Sequence, residues 1–154
     1  MNLYLIRHGV AEDTARTDAE RALTKEGLKE VQKIAREVGL RAKNPERLFV
    51  SPYLRARQTA DPFSERWKLK PEIARWLMPG AEVSDVLENL EECAEESIAL
   101  VGHMPNLGLV LSALVWGLPP REIVLPKGGV AFLKTKTWKP GEAKLKWLLN
   151  PDLL

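Results

Sequence analysis

A chain of 154 residues, with 23 Lys and Arg against 21 Asp and Glu and a formal charge of only +2, is sized for one domain, expected here to span 1–154. Such a chain buries a core without staples, and its interspersed charges argue against a nucleic-acid partner, which needs a concentrated basic face. The single cysteine, Cys93, excludes an internal disulfide and a multi-cysteine metal site, no apolar run approaches the ~20 residues of a membrane span, and the first residues read as a strand rather than a signal peptide, so a reducing cytoplasm is the expected setting.

Residues 2 to 7, apolar throughout their middle, predict a first strand ending at Arg7-His8-Gly9. Residues 11 to 23 are polar and aperiodic and read as a loop at that strand's exit. Thr24 caps a predicted helix whose apolar positions Leu28, Val31, Ala35 and Val38 share one face, with Gly39 as its stop. Leu48-Phe49-Val50 is a second short strand. Ser51-Pro52 then reads as an N-cap and a first-turn proline, opening a helix to about Trp67 that buries Ala56, Ala60, Phe63 and Trp67 and meets an irregularity at Pro62.

Residues 72 to 77 are expected to form a short strand, and 83 to 95 a helix with Val83, Val86, Leu87 and Leu90 inward. Cys93 in that acidic stretch reads as a small packing residue. Ile98 to Val101 is a further buried strand, ending at Gly102-His103. Pro105 opens a helix carrying Leu107, Val110, Leu111, Leu114 and Val115. Val130 to Thr135 and Lys144 to Leu148 are strand-like around the turn Lys139-Pro140-Gly141-Glu142, a pattern that predicts an antiparallel hairpin at a sheet edge. The alternation of strand and helix gives an α/β fold with a mostly parallel sheet.

The chain's only two histidines, His8 and His103, each close an apolar strand. Ligands of open α/β sheets bind at the carboxyl ends of strands, so both imidazoles are expected at one site, with Arg7 beside the first. Arg55 lies in the first turn of a helix leaving another strand's carboxyl end, where free N–H groups favour an anion; Arg57, two residues on, should point elsewhere. The N–H of Met104 is a further free donor at a helix start. Two guanidinium forks suit a phosphoryl group, a neutral His8 is a competent nucleophile, and His103 can hold charge on the transferring oxygens. This set needs no metal and no cofactor.

Arg7-His8-Gly9, then Leu23-Thr24-x-x-Gly27, then Ser51-Pro52-x-x-Arg55-Ala56-x-Gln58-Thr59-Ala60, then Gly102-His103 resemble, in order, the motifs of the histidine phosphatase superfamily. The resemblance spans nearly the whole chain. It implies a three-layer α/β/α sandwich of the phosphoglycerate-mutase-like kind, with a mostly parallel central sheet and an antiparallel C-terminal edge hairpin. It implies that His8 is phosphorylated in the cycle and that Arg7, Arg55 and His103 form the phosphate pocket, with Gly9 and Met104 beside them. Asp18-x-x-Arg21-x-Leu23-Thr24 with Gly102-His103-x-Pro105 is similar to the short phosphohistidine phosphatases of the family.

The chain departs from the family pattern in one respect. Many members carry a Glu proton donor in a segment inserted after the third strand; the matching stretch here, Leu77 to Glu82, is short. Glu82, Glu12, Asp13 and Asp18 are the possible acids, or there is none. An alkoxide needs a proton as it leaves, whereas imidazole leaves readily, so a site without an acid suits a phosphohistidine-bearing protein. A small phosphate ester is the alternative substrate, and a phosphoprotein-binding module without turnover is the alternative of another class. Arg21 is either a contact for the protein substrate or a structural ion pair with Asp18.

Overall fold

The computed structural model describes residues 1–154. Six strands, β1 (Asn2–Arg7), β2 (Arg47–Val50), β3 (Glu72–Ile73), β4 (Ser97–Gly102), β5 (Val130–Lys134) and β6 (Lys144–Leu149), form one sheet in the order β3-β2-β4-β1-β5-β6. β3, β2, β4 and β1 run parallel, while β5 pairs antiparallel with both β1 and β6. Four helices cover it: α1 (Lys25–Arg41), α2 (Leu54–Trp67), α3 (Val83–Glu91) and α4 (Asn106–Trp116).

Strand geometry sends alternate side chains to opposite faces, which divides the core in two. Tyr4, Ile6, Leu48, Val50, Ala99 and Val101 meet α1 and α2 on one face. Leu3, Leu5, Phe49, Ile98 and Leu100 meet α3 and α4 on the other. β4 is buried along its whole length, as expected of a central parallel strand covered on both sides. The result is the expected three-layer α/β/α sandwich, with the β5–β6 hairpin at the expected edge.

Several expected boundaries move. α1 runs two residues past Gly39 to Arg41: Gly39 does not take the left-handed conformation of a helix stop, and it is packed against the Arg66 side chain of α2, whose guanidinium a Cβ there would meet. Ser51 is not the N-cap of α2: that position is Tyr53, whose N–H donates to the Ser51 hydroxyl at 3.3 Å, and the same hydroxyl is engaged with His103. Pro62 lies inside α2 without ending it. The stretch 72 to 77 is a two-residue strand followed by a 3-10 turn at Arg75–Leu77. α3 stops at Glu91 rather than 95. Cys93 packs against the core as expected, its thiol donating to the Asn89 carbonyl.

Candidate active site

β1, β4 and β2 are parallel neighbours, so their carboxyl ends open at the same edge of the sheet. Arg7 pairs with Gly102 in register, and Val50 with Val101. The next residues, His8 and His103, therefore emerge side by side, with ring centroids 5.1 Å apart. α2 follows β2 and brings Arg55 to the same place. The antiparallel β5 begins where β1 ends, so the Lys127-Gly128-Gly129 turn also lies here; Gly128 donates its N–H to the His8 carbonyl.

These elements enclose a cavity of about 240 Å³ lined by Arg7, His8, Arg21, Arg55, His103 and Met104, with Ala11, Asp13, Pro79 and Lys127. A larger hollow of about 570 Å³ lies elsewhere, around Ser112, Trp116 and Leu118; it holds no histidine, and chemistry rather than size locates the site. Of the seven residues expected at the site, six line the cavity. Gly9 stands behind it, its N–H donating to Thr59 Oγ1 at 3.0 Å, and its Cα faces Val31 so closely that a Cβ would collide. Thr59 in turn donates to the Arg55 carbonyl, which ties the first turn of α2 to the β1 exit. The Met104 N–H has no acceptor in the protein. Arg57 is exposed and turned away.

The His8 ring is fixed by one contact. Its Nδ1 lies 2.7 Å from the Gly9 carbonyl. A carbonyl only accepts, so Nδ1 carries the proton and Nε2 keeps the lone pair. Burial, against which the Gly9 carbonyl acts, and then the charges of Arg55, Arg7 and Lys127 bring the His8 pKa down to about 4. Burial, followed by the proximity of His8 and Arg55, brings that of His103 down to about 3. Both rings are neutral at pH 7. His103 Nε2 sits 2.8 Å from Ser51 Oγ.

The guanidiniums are pre-oriented. Arg55, buried, donates from Nη1 to the Asp18 carbonyl at 2.8 Å and from Nη2 to Asp18 Oδ2 at 3.2 Å. Arg7 donates from Nη1 to the Leu125 carbonyl at 2.6 Å and has no carboxylate partner. Arg7 Nε, Arg55 Nε and His103 Nδ1 are buried without any hydrogen-bond partner. These three nitrogens belong to residues lining one cavity, while the other buried atoms left without a partner, Glu95 Oε2, Ser97 Oγ and Trp138 Nε1, lie away from it.

The four carboxylates weighed as acids separate clearly. Asp18 accepts from Arg21 Nε at 2.8 Å, and this bond, together with the nearby Arg55, holds its carboxyl below the usual range, so it orients arginines rather than donating protons. Glu12 and Glu82 are exposed and do not line the cavity; only Asp13 does. Arg21 both lines the cavity and makes the ion pair with Asp18, adding a bond to the Glu12 carbonyl. Lys127 was not legible as a site residue. The signal that could have found it is the antiparallel pairing of β5, which turns the loop before β5 toward the β1 exit.

Comparison with known proteins agrees with this geometry. The model of the histidine phosphatase superfamily, branch 1, matches residues 3–78. The chain is 30% identical to phosphohistidine phosphatase SixA of Escherichia coli strain K12, over 98% of this chain and 94% of that one. It is 31% identical to a SixA homolog of Haemophilus influenzae, over 74% and 77%. Its fold superimposes on the protein histidine phosphatase SixA, solved with tungstate, with a TM-score of 0.86, 26% identity and 99% coverage of both chains. The chain belongs to the histidine phosphatase superfamily. No helix is long and apolar enough to cross a membrane.

Proposed function

We propose that this protein is a phosphatase that removes phosphate from histidine on a protein, through a phospho-His8 intermediate. The observation that supports it most is the set of unpartnered nitrogens on Arg7, Arg55 and His103, in a cavity where His8 Nε2 holds a free lone pair. A phosphoryl group supplies the acceptor oxygens those nitrogens lack, and two guanidiniums supply the countercharge. The SixA relatives, named as phosphohistidine phosphatases, support the same substrate class.

His8 Nε2 attacks phosphorus in line, and the bond from phosphorus to the substrate nitrogen breaks. Arg7 and Arg55 hold the equatorial oxygens, where the charge of a loose transition state resides. When the Ser51 hydroxyl donates to His103 Nε2, the proton of neutral His103 sits on Nδ1, making it a donor for the same oxygens. The Met104 N–H is a further donor. Once phosphorylated, His8 keeps Nδ1–H on the Gly9 carbonyl, so the ring stays in the protonated form from which a phosphoryl group is readily lost. Water then attacks phosphorus from the open side of the cavity, releasing inorganic phosphate and restoring neutral His8. Arg21 at the cavity wall is available to the protein substrate on the edge not bonded to Asp18.

The test is a substrate panel run side by side. Turnover of a phosphohistidine protein should exceed that of 3-phosphoglycerate and simple alkyl phosphates by at least about 100-fold, because Glu12 and Glu82 lie outside the cavity and Asp18 is held by arginines, leaving an alkoxide poorly served with a proton. Equal turnover of an alkyl phosphate would overturn the assignment in favour of a small-ester phosphatase.

A further inference from the structure

One acidic residue lines the phosphate cavity without an assigned task. Asp13 lines the cavity, makes no ion pair, and is exposed. It also lines the adjoining surface groove of about 360 Å³ formed by Asp13 to Asp18 and Arg21. The two hollows share Asp13 and Arg21, and Arg21 is committed to Asp18 and to the Glu12 carbonyl. Asp13 therefore stands uncommitted between the phosphate site and the groove. His8 is buried at the inner side of the cavity, and an in-line leaving group must depart on the side away from it, toward the opening. A negative charge beside a dianionic phosphoryl group is costly unless it meets something positive on that leaving group.

We propose that Asp13 is a specificity-determining residue that accepts a hydrogen bond from the distal ring N–H of the substrate's phosphorylated imidazole and so selects phosphohistidine over phosphate esters. The inference rests on the phosphohistidine reading above. A phosphorylated imidazole leaves well only when its second nitrogen is protonated. The P–N bond then breaks with its electron pair returning to the first nitrogen, and a neutral imidazole departs, still carrying the distal proton on its bond to Asp13. The bond that forms is P–Nε2, from the lone pair of His8. His8 thereby takes up the ring charge the substrate gives up, and Nδ1–H on the Gly9 carbonyl carries it. The two imidazoles are treated alike: each has its distal N–H on an oxygen acceptor, the Gly9 carbonyl for His8 and the Asp13 carboxylate for the substrate. An ester leaving group carries no such proton, and its developing negative charge is opposed by Asp13.

The test compares wild type with Asp13→Asn on a phosphohistidine peptide and on nitrophenyl phosphate. Asp13 is exposed, so the variant folds. The expected result is a loss of about 10-fold or more in kcat/KM on the peptide, with the ester rate unchanged or raised. Lowering the pH from 7.5 to 5.5 should restore part of the peptide rate in Asp13→Asn, because solvent then protonates the distal nitrogen. The other charged groups facing the cavity are Arg7, Arg21, Arg55 and Lys127, and buried His8 and His103 stay neutral over that range. Equal loss on both substrates, or no loss on either, overturns the proposal while leaving the phosphatase reading intact. A wild-type enzyme inert toward the phosphohistidine peptide but active on the ester overturns both.

Discussion

An exposed imidazole, with a reference pKa near 6.5, is partly protonated at neutral pH and to that extent lost as a nucleophile. Burial removes that loss for His8, and the neighbouring guanidiniums act in the same direction. The consequence for stability has a definite sign. In the unfolded chain both histidines take up protons near pH 6.5, whereas in the fold they do so only at about 4 and about 3. Between those values the unfolded state binds more protons, so stability rises with pH through this window. The stability present above pH 6.5 is lost progressively as the pH falls toward 4. Thermal unfolding followed from pH 7.5 to 4.5 should show Tm falling below pH 6.5, and His103→Gln should fall less steeply. A Tm independent of pH across that window in wild type would contradict the burial of two neutral rings.

At the scale of elements, the site depends on how α1 and α2 leave their loops. Thr24 caps α1, its hydroxyl accepting from the Gly27 N–H at 3.0 Å, and Gly27 lies so close to the Val10 carbonyl that no Cβ fits. This cap was legible because its residue types and spacing are local. Thr24→Ala should cost about 1 kcal/mol, a fall in Tm of roughly 2–4 °C for a domain of this size. The nucleophile's surroundings should be untouched; an unchanged Tm measured by calorimetry would show that the cap carries no stability. Ser51 shows where local reading ends. Its sequence context is that of an N-cap, yet its hydroxyl serves His103, from a strand far along the chain. Gly39 is similar: it reads as a helix stop, but its small size answers to Arg66 on the next helix. In both cases a contact across elements outweighs the local preference.

For the whole molecule, the sheet does the assembling. Three parallel strands that end together bring His8, Ser51 and His103 within reach of one another, and the loops that follow add Arg55 and Met104. The strand runs and the residues that close them made this readable, since chemistry-bearing residues at strand exits share one edge by topology. Lys127 and the tie from Asp18 to Arg55 were not readable, because they depend on which strand neighbours β1 and on how the 11–23 loop folds back over α2. The proposed mechanism stands or falls on a covalent phosphoryl intermediate on His8 at this edge. The direct measurement is to mix the protein with a radiolabelled phosphohistidine protein, quench within milliseconds under alkaline denaturing conditions, which preserve phosphohistidine, and map the label by peptide sequencing. The expected result is an acid-labile, alkali-stable phosphate on His8, absent in His8→Ala. Label on His103, or turnover with no labelled protein at any time point and full activity in His8→Ala, would contradict it.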